Sequence, residues 1–118
     1  MKVFDIKYPL GTPDDFRHGL YNFSDVGCGL QYGTGYLKKG MKTPIEGDFT
    51  VHDQMKIVVI VEGKVALSLK NGPSKPLVVS SGDSFLVERF EAHSGEALED
   101  TKLLYILFGA TQNDLSVQ

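Results

Sequence analysis

The 118 residues include no tryptophan and a single cysteine, Cys28. A lone cysteine closes no internal disulfide and builds no cysteine metal cluster. Its place between Gly27 and Gly29 reads as a small core filler. No apolar run approaches the ~18 residues that span a membrane, so no membrane partner is expected. Met1 to Pro9 alternates charged and apolar side chains and lacks the apolar centre of a secretory leader, which gives the expectation of a cytoplasmic protein. Twelve basic residues against fifteen acidic ones leave a net charge of −3. Without a basic stripe, nucleic acid is not an expected partner. Helical periodicity is nearly absent too. Its one trace is Thr12-Pro13-Asp14-Asp15-Phe16-Arg17-His18-Gly19, a capping-type start stopped by glycine, expected to form one short helical turn with His18 in a solvated loop.

What is abundant is glycine, at 13 residues, spaced between short apolar runs. Hydrophobic residues at 42% and charged residues at 23% give a chain that can bury a core. From about residue 28 the pattern is strand and turn. Strands are expected over Leu30–Leu37, Phe49–His52, Met55–Val61, Lys64–Lys70, Leu77–Val79, Ser84–Val87, His93–Ala97 and Leu103–Phe108. Lys38-Lys39-Gly40-Met41, Asn71-Gly72-Pro73-Ser74 and Ser81-Gly82-Asp83 read as the turns between them. Ile57-Val58-Val59-Ile60-Val61 is β-branched throughout and lacks alternation, so both its faces are expected to be covered. Eight to ten short strands at this spacing point to an all-β antiparallel sandwich or barrel. No repeat, linker or low-complexity stretch divides the chain.

Two stretches resemble the cupin family of small jelly-roll β-barrels. Its first motif runs glycine, five residues, His-x-His, three or four residues, Glu, six residues, Gly. Val58-Val59-Ile60-Val61-Glu62-Gly63-Lys64-Val65 is similar to the end of that motif, and Leu37-Lys38-Lys39-Gly40 to the turn before it. Ser81-Gly82-Asp83-Ser84-Phe85-Leu86-Val87 followed by His93 resembles the second motif, with Glu88-Arg89-Phe90-Glu91 in place of its Pro-x-Gly. The resemblance implies one antiparallel jelly-roll (cupin) β-barrel over residues 30–108, with residues 1–29 packed on it. Gly82-Asp83-Ser84 and Ala97-Leu98-Glu99-Asp100 also look like the pectin-degradation cupins, and the ethanolamine-utilisation cupins are similar.

Counted back from Gly63, the family's ligand positions fall on Thr50, His52 and Lys56, and the second motif supplies His93. Thr50, His52 and Lys56 share parity, so an extended chain points them to one face, which the resemblance makes the barrel interior. His52 and His93 are thereby the candidate ligands of a divalent metal (Zn, Ni, Mn or Fe). Two histidines fall short of the three or four ligands such an ion takes. A Lys56 ammonium would repel it by roughly 4 kcal/mol at about 4 Å and an effective dielectric near 20. Oxygen from Glu46, Asp48, Gln54 or Glu91 would be needed to complete the shell. The metal-free alternative is a donor-rich pocket of Thr50, His52, Lys56 and His93 for a carboxylate, phosphate or sugar acid. Tyr32 and Tyr36, four apart on one strand, are expected at its mouth as stacking surface.

Three functions therefore stand open: a small stand-alone cupin binding a polar or anionic molecule with or without a metal, a metal-dependent isomerase, lyase or oxygenase on a sugar or small carboxylate, and a non-catalytic scaffold subunit. A homodimer is expected, with Leu103–Phe108 as candidate interface strand unless Val3 to Tyr8 covers it.

Overall fold

The computed structural model describes residues 1–23, 29–44 and 48–108. Among these, nine strands form: β1 (Arg17–Asn22), β2 (Gln31–Leu37), β3 (Lys42–Thr43), β4 (Met55–Glu62), β5 (Lys64–Leu69), β6 (Leu77–Ser80), β7 (Ser84–Val87), β8 (His93–Ala97) and β9 (Thr101–Phe108). They build two antiparallel sheets. One has the order β1-β2-β9-β4-β7 and the other β3-β8-β5-β6. The architecture is the expected all-β jelly roll, and no described helix is long and apolar enough to cross a membrane.

The core lies between the sheets. Alternation along β4 sends Lys56, Val58 and Ile60 inward, and β9 contributes Leu103, Tyr105 and Leu107 from the next strand. Val65, Val79 and Ala97 close the core from the opposite sheet. On β2 the inward positions include Gly33, where an added Cβ would collide with the Tyr105 ring, its Cζ only 2.7 Å away. Glycine there makes the space in which the large Tyr105 side chain is buried.

Gly63 turns the chain from one sheet to the other. Its φ of +108° is accessible to few residues with a side chain. Its N–H donates to Ser81 Oγ at 3.1 Å, and the next residue, Lys64, donates to Thr101 Oγ1 at 3.1 Å. Thr101 is fully buried and hydrogen-bonds onward to the Glu99 carbonyl at 2.9 Å.

Several expectations change. Residues 12–19 form no helical turn. Thr12 and Asp15 instead bridge in a tight turn, with Asp15 N–H donating to Thr12 Oγ1 at 3.1 Å, and the chain then enters β1. His18 is exposed as expected, but on that strand. Phe49–His52 forms no strand and makes only an isolated bridge through Thr50. The apolar stretch of β4 is covered on one face only. Ile57, Val59 and Val61 remain 37%, 37% and 44% exposed on the other. Nor is β9 an edge: it runs between β2 and β4. The N-terminal segment lies along β1 and β2, where Phe4 packs edge-on against Tyr21 and Tyr32 and the Lys7 carbonyl accepts from Thr34 Oγ1 at 2.7 Å. Cys28 lies outside the described residues.

Candidate functional site

A cavity of about 200 Å³ opens at the end of the core where Lys56 replaces the apolar residues of β4. It brings together Thr50, His52, Lys56 and His93, four of the residues singled out from the sequence. Backbone pairing sets their positions. Thr50 N–H donates to the His93 carbonyl at 2.8 Å, and His93 N–H returns a bond to the Thr50 carbonyl at 3.0 Å. Phe90 N–H donates to the His52 carbonyl at 2.7 Å and ties the 88–91 loop to the same segment. Phe90 stands where the cupin motif has glycine and holds φ at +61°. A bulky residue there bears a strain of order 1–3 kcal/mol that the neighbouring hydrogen bonds hold in place.

Tyr32 and Tyr36 are not at the cavity mouth. On β2 the inward residues are Gly33, Gly35 and Leu37, so strand alternation turns Tyr32 and Tyr36 to the opposite face, where Tyr32 meets Phe4 with ring centroids 5.5 Å apart. The cavity instead gains Arg17 from β1, the aromatic walls Phe16 and Tyr105, and the apolar side chains Val58 and Leu103. The Arg17 guanidinium lies 5.6 Å from the centre of the Tyr105 ring, and Lys56 Nζ 5.7 Å from that of Phe16. Tyr105 Oη donates to Gln31 Oε1 at 3.2 Å. Arg17 carries no sequence signal, because Arg17–Asn22 shows no period-two alternation and follows a helix-like cap.

The electrostatics of the site come from burial and from two cations, Lys56 and Arg17, with the Asp14 carboxylate also on the cavity wall. Lys56 is 7% exposed, and desolvation, with the Arg17 charge adding to it, lowers its pKa from 10.5 to about 8. Among the described residues no carboxylate forms an ion pair with Lys56 or Arg17, whereas Lys7, Lys38, Lys64 and Lys102 each have one at the surface. Desolvation, then the charges of Lys56, His93 and Arg17, lower His52 to about 4. His93 is also lowered, chiefly by burial. The Glu91 carbonyl oxygen lies 2.8 Å from His93 Nδ1. A carbonyl only accepts, so Nδ1 carries the proton and Nε2 keeps a lone pair.

His52 sets an acid limit on stability. The unfolded chain binds a proton near pH 6.5 that the folded site refuses until about 4. Its contribution is complete above 6.5 and is lost as pH falls through that window, and the depression of His93 acts in the same direction. Urea unfolding at pH 7 and pH 4.5 is expected to show a loss of about 2 kcal/mol from His52, after allowance for its partial exposure. The slope should flatten in His52→Asn, and an unchanged slope would contradict the assignment.

The donor set does not fit a divalent metal. The two histidine rings lie 5.5 Å apart, centre to centre, but no three His, Cys, Asp or Glu side chains converge among the described residues. Of the oxygen donors considered, Asp48, Gln54 and Glu91 do not line the cavity, and Glu91 Oε1 is occupied by the Glu88 N–H at 3.2 Å. Glu46 lies outside the described residues. Lys56 and Arg17 add positive charge where a cation would sit.

No protein-family model matches the chain, and no curated protein matches it. Solved structures do. A Ralstonia eutropha protein proposed to be a mannose-6-phosphate isomerase is 22% identical, with a TM-score of 0.69 over 90% of this chain and 93% of its own. The EutQ protein of Clostridium difficile is 11% identical, with a TM-score of 0.63 over 78% of this chain and 65% of its own. A cupin superfamily protein of Desulfitobacterium hafniense is 13% identical, with a TM-score of 0.56 over 67% of this chain. The match spans 66% of that protein, a little under two-thirds of its length. At such identities the likeness carries the fold and not the activity. The two sheets, the Gly63 and Gly82 turns and these neighbours together show that the chain adopts the cupin jelly-roll fold.

Proposed function

We propose that the cavity binds a small anion of the sugar-acid or carboxylate type, without a metal. The observation that carries this reading is the buried Lys56 with no carboxylate partner, beside Arg17 and two imidazoles kept neutral. An unpaired buried ammonium is costly, and an anion that accepts its hydrogen bonds offsets that cost. Arg17 presents a planar fork suited to a carboxylate or phosphate, and Thr50 adds a hydroxyl. The volume lies below the ~300–1,000 Å³ of pockets for drug-sized molecules, so the ligand has few heavy atoms. The substrate named for the Ralstonia eutropha neighbour bears a phosphate, an anionic group of the kind these cations would take.

Titration calorimetry with small carboxylates, sugar acids and sugar phosphates at neutral pH tests the proposal. Saturable binding of at least one is expected, and silence across the panel from folded protein would overturn it. Elemental analysis after incubation with zinc, nickel, manganese and iron, on protein purified without tag or chelator, is expected to give metal well below one equivalent. A full equivalent, lost in both His52→Ala and His93→Ala, would replace this reading by the metal-dependent enzyme.

A second copy of the chain is the occupant we infer for the outer face of β4 and β7. Ile57 is in register with Leu86 on one side and Ile106 on the other, which sets apolar side chains in a row across three strands. Leu86 is 48% exposed, and β7 is a sheet edge. An uncharged row beside an open edge is self-complementary about a two-fold axis. Light scattering at micromolar concentration is expected to give twice the chain mass, and Ile57→Lys should halve it. A monomer mass for the unaltered chain would exclude the dimer.

A further inference from the structure

Lys56 is the one buried lysine among the described residues. The lysines whose ion pairs are resolved sit at the surface with Asp or Glu, and their ammonium groups stay solvated. Lys56 stands on the central part of a sheet, between Val87 on β7 and Leu107 on β9, with its stem in the core and its amine at a cavity walled by Phe16, Val58 and Tyr105. Strand placement fixes the amine more firmly than a loop would. Binding a simple anion uses only its charge. The same setting also favours the uncharged amine, which is a nucleophile.

We propose that Lys56 Nζ captures a small 2-oxo acid as an imine, with the Arg17 guanidinium holding the acid's carboxylate. The proposal rests on the anion-binding reading of the cavity and adds a covalent step to it. Carboxylate and carbonyl sit on adjacent carbons of such an acid, and the cavity offers a fork donor and an amine for the two. The free amine adds its lone pair to the carbonyl carbon, the C–N bond forms, and the C=O π pair moves to oxygen. His93, whose Nε2 lone pair is left available by the Nδ1 bond to Glu91, takes the proton released from nitrogen. The alkoxide takes up one proton from solvent to become a hydroxyl, and the imidazolium gives its proton to that hydroxyl, which leaves as water while the nitrogen lone pair forms the C=N bond. The products are a protonated imine and one water, with no change in oxidation state. The cationic imine leaves the charge pairing with the carboxylate intact.

The test is reductive trapping of the full chain with pyruvate and cyanoborohydride at neutral pH, followed by intact mass and peptide mapping. One reduced adduct per chain is expected, with Lys56 labelled at least about tenfold more than any surface lysine, as its larger free-amine fraction requires. Lys56→Arg, checked for folding by circular dichroism, should lose that adduct. Because the mapping on the unaltered chain stands by itself, a misfolded variant leaves the answer intact. Label spread evenly over surface lysines, or no label, would overturn the imine. Lactate, which has the carboxylate without the carbonyl, separates the two claims by calorimetry. Lactate binding without pyruvate label sinks the imine and keeps the anion site, and absence of label together with silence across the whole calorimetry panel sinks both.

Discussion

Replacing Lys56 by Met is expected to weaken binding of the carboxylate ligand by about 10–100-fold, the range for losing a hydrogen bond to a charged partner. The same substitution should make the empty protein more stable at neutral pH. In the folded chain Lys56 titrates near 8, and in the unfolded chain near 10.5. Between those values the unfolded state holds a proton that the folded state has lost, so stability rises with pH through that window and is lowest below it. The difference corresponds to about 3 kcal/mol of destabilisation at pH 7. Met keeps the length of the stem and removes the ammonium. Unfolding curves at pH 7 and pH 10 should therefore converge in the variant. A Lys56→Met protein that binds as before and is no more stable would mean that Lys56 reaches water and does nothing in the cavity.

The second large effect lies away from the site. Gly63→Ala is expected to cost roughly 3 kcal/mol or more, measured by chemical denaturation. Two penalties combine. The backbone sits at φ +108°, where a Cβ is strained, and that Cβ would meet the Thr101 side chain and the Asp100 carbonyl, with Thr101 Cα at 2.7 Å. None of these can retreat easily, because Thr101 is fully buried and hydrogen-bonded on both sides of the turn. Gly82 gives the contrast. Its φ is also positive, at +90°, but open space surrounds it, so Gly82→Ala should bear only the backbone strain. Equal losses at the two positions would show that packing against Thr101 is unimportant.

The fold was legible where side chains alternate over an interior. Lys64–Lys70 could be placed on that pattern, Leu77–Val79 only by the turns on either side of it, and Gly63 and Gly82 marked the corners because few other residues reach those angles. β1 was not legible, since Arg-His-Gly-Leu-Tyr-Asn follows a helix-like cap and carries a bulge between Gly19 and Tyr21. β3 is two residues long and exists only through its pairing with β8. Thr50, His52 and Lys56 meet in one cavity as expected, but the first two are placed by the bridge of Thr50 to His93 rather than by strand parity, whereas parity could have warned about Tyr32 and Tyr36. Their odd-numbered neighbours, Gly33, Gly35 and Leu37, are buried towards the interior, while on the even-numbered face only Thr34 is buried. Arg17 escaped because it reaches the cavity from a strand nearly forty residues distant in sequence from Lys56, and no local pattern encodes that approach. The exposed face of β4 escaped for a related reason: a β-branched run shows that apolar cover suits both faces, not whether one chain supplies it.

The central claim is that Lys56 is a buried, unpartnered cation awaiting an anion, and NMR titration of its side chain tests that most directly. With Lys56 assigned by comparison with Lys56→Met, the resonance of the empty protein is expected to titrate near pH 8. Addition of the carboxylate found by calorimetry should move that midpoint upward, because an opposite charge at contact favours the ammonium. A midpoint near the 10.5 of free lysine, unmoved by any anion, would contradict the account.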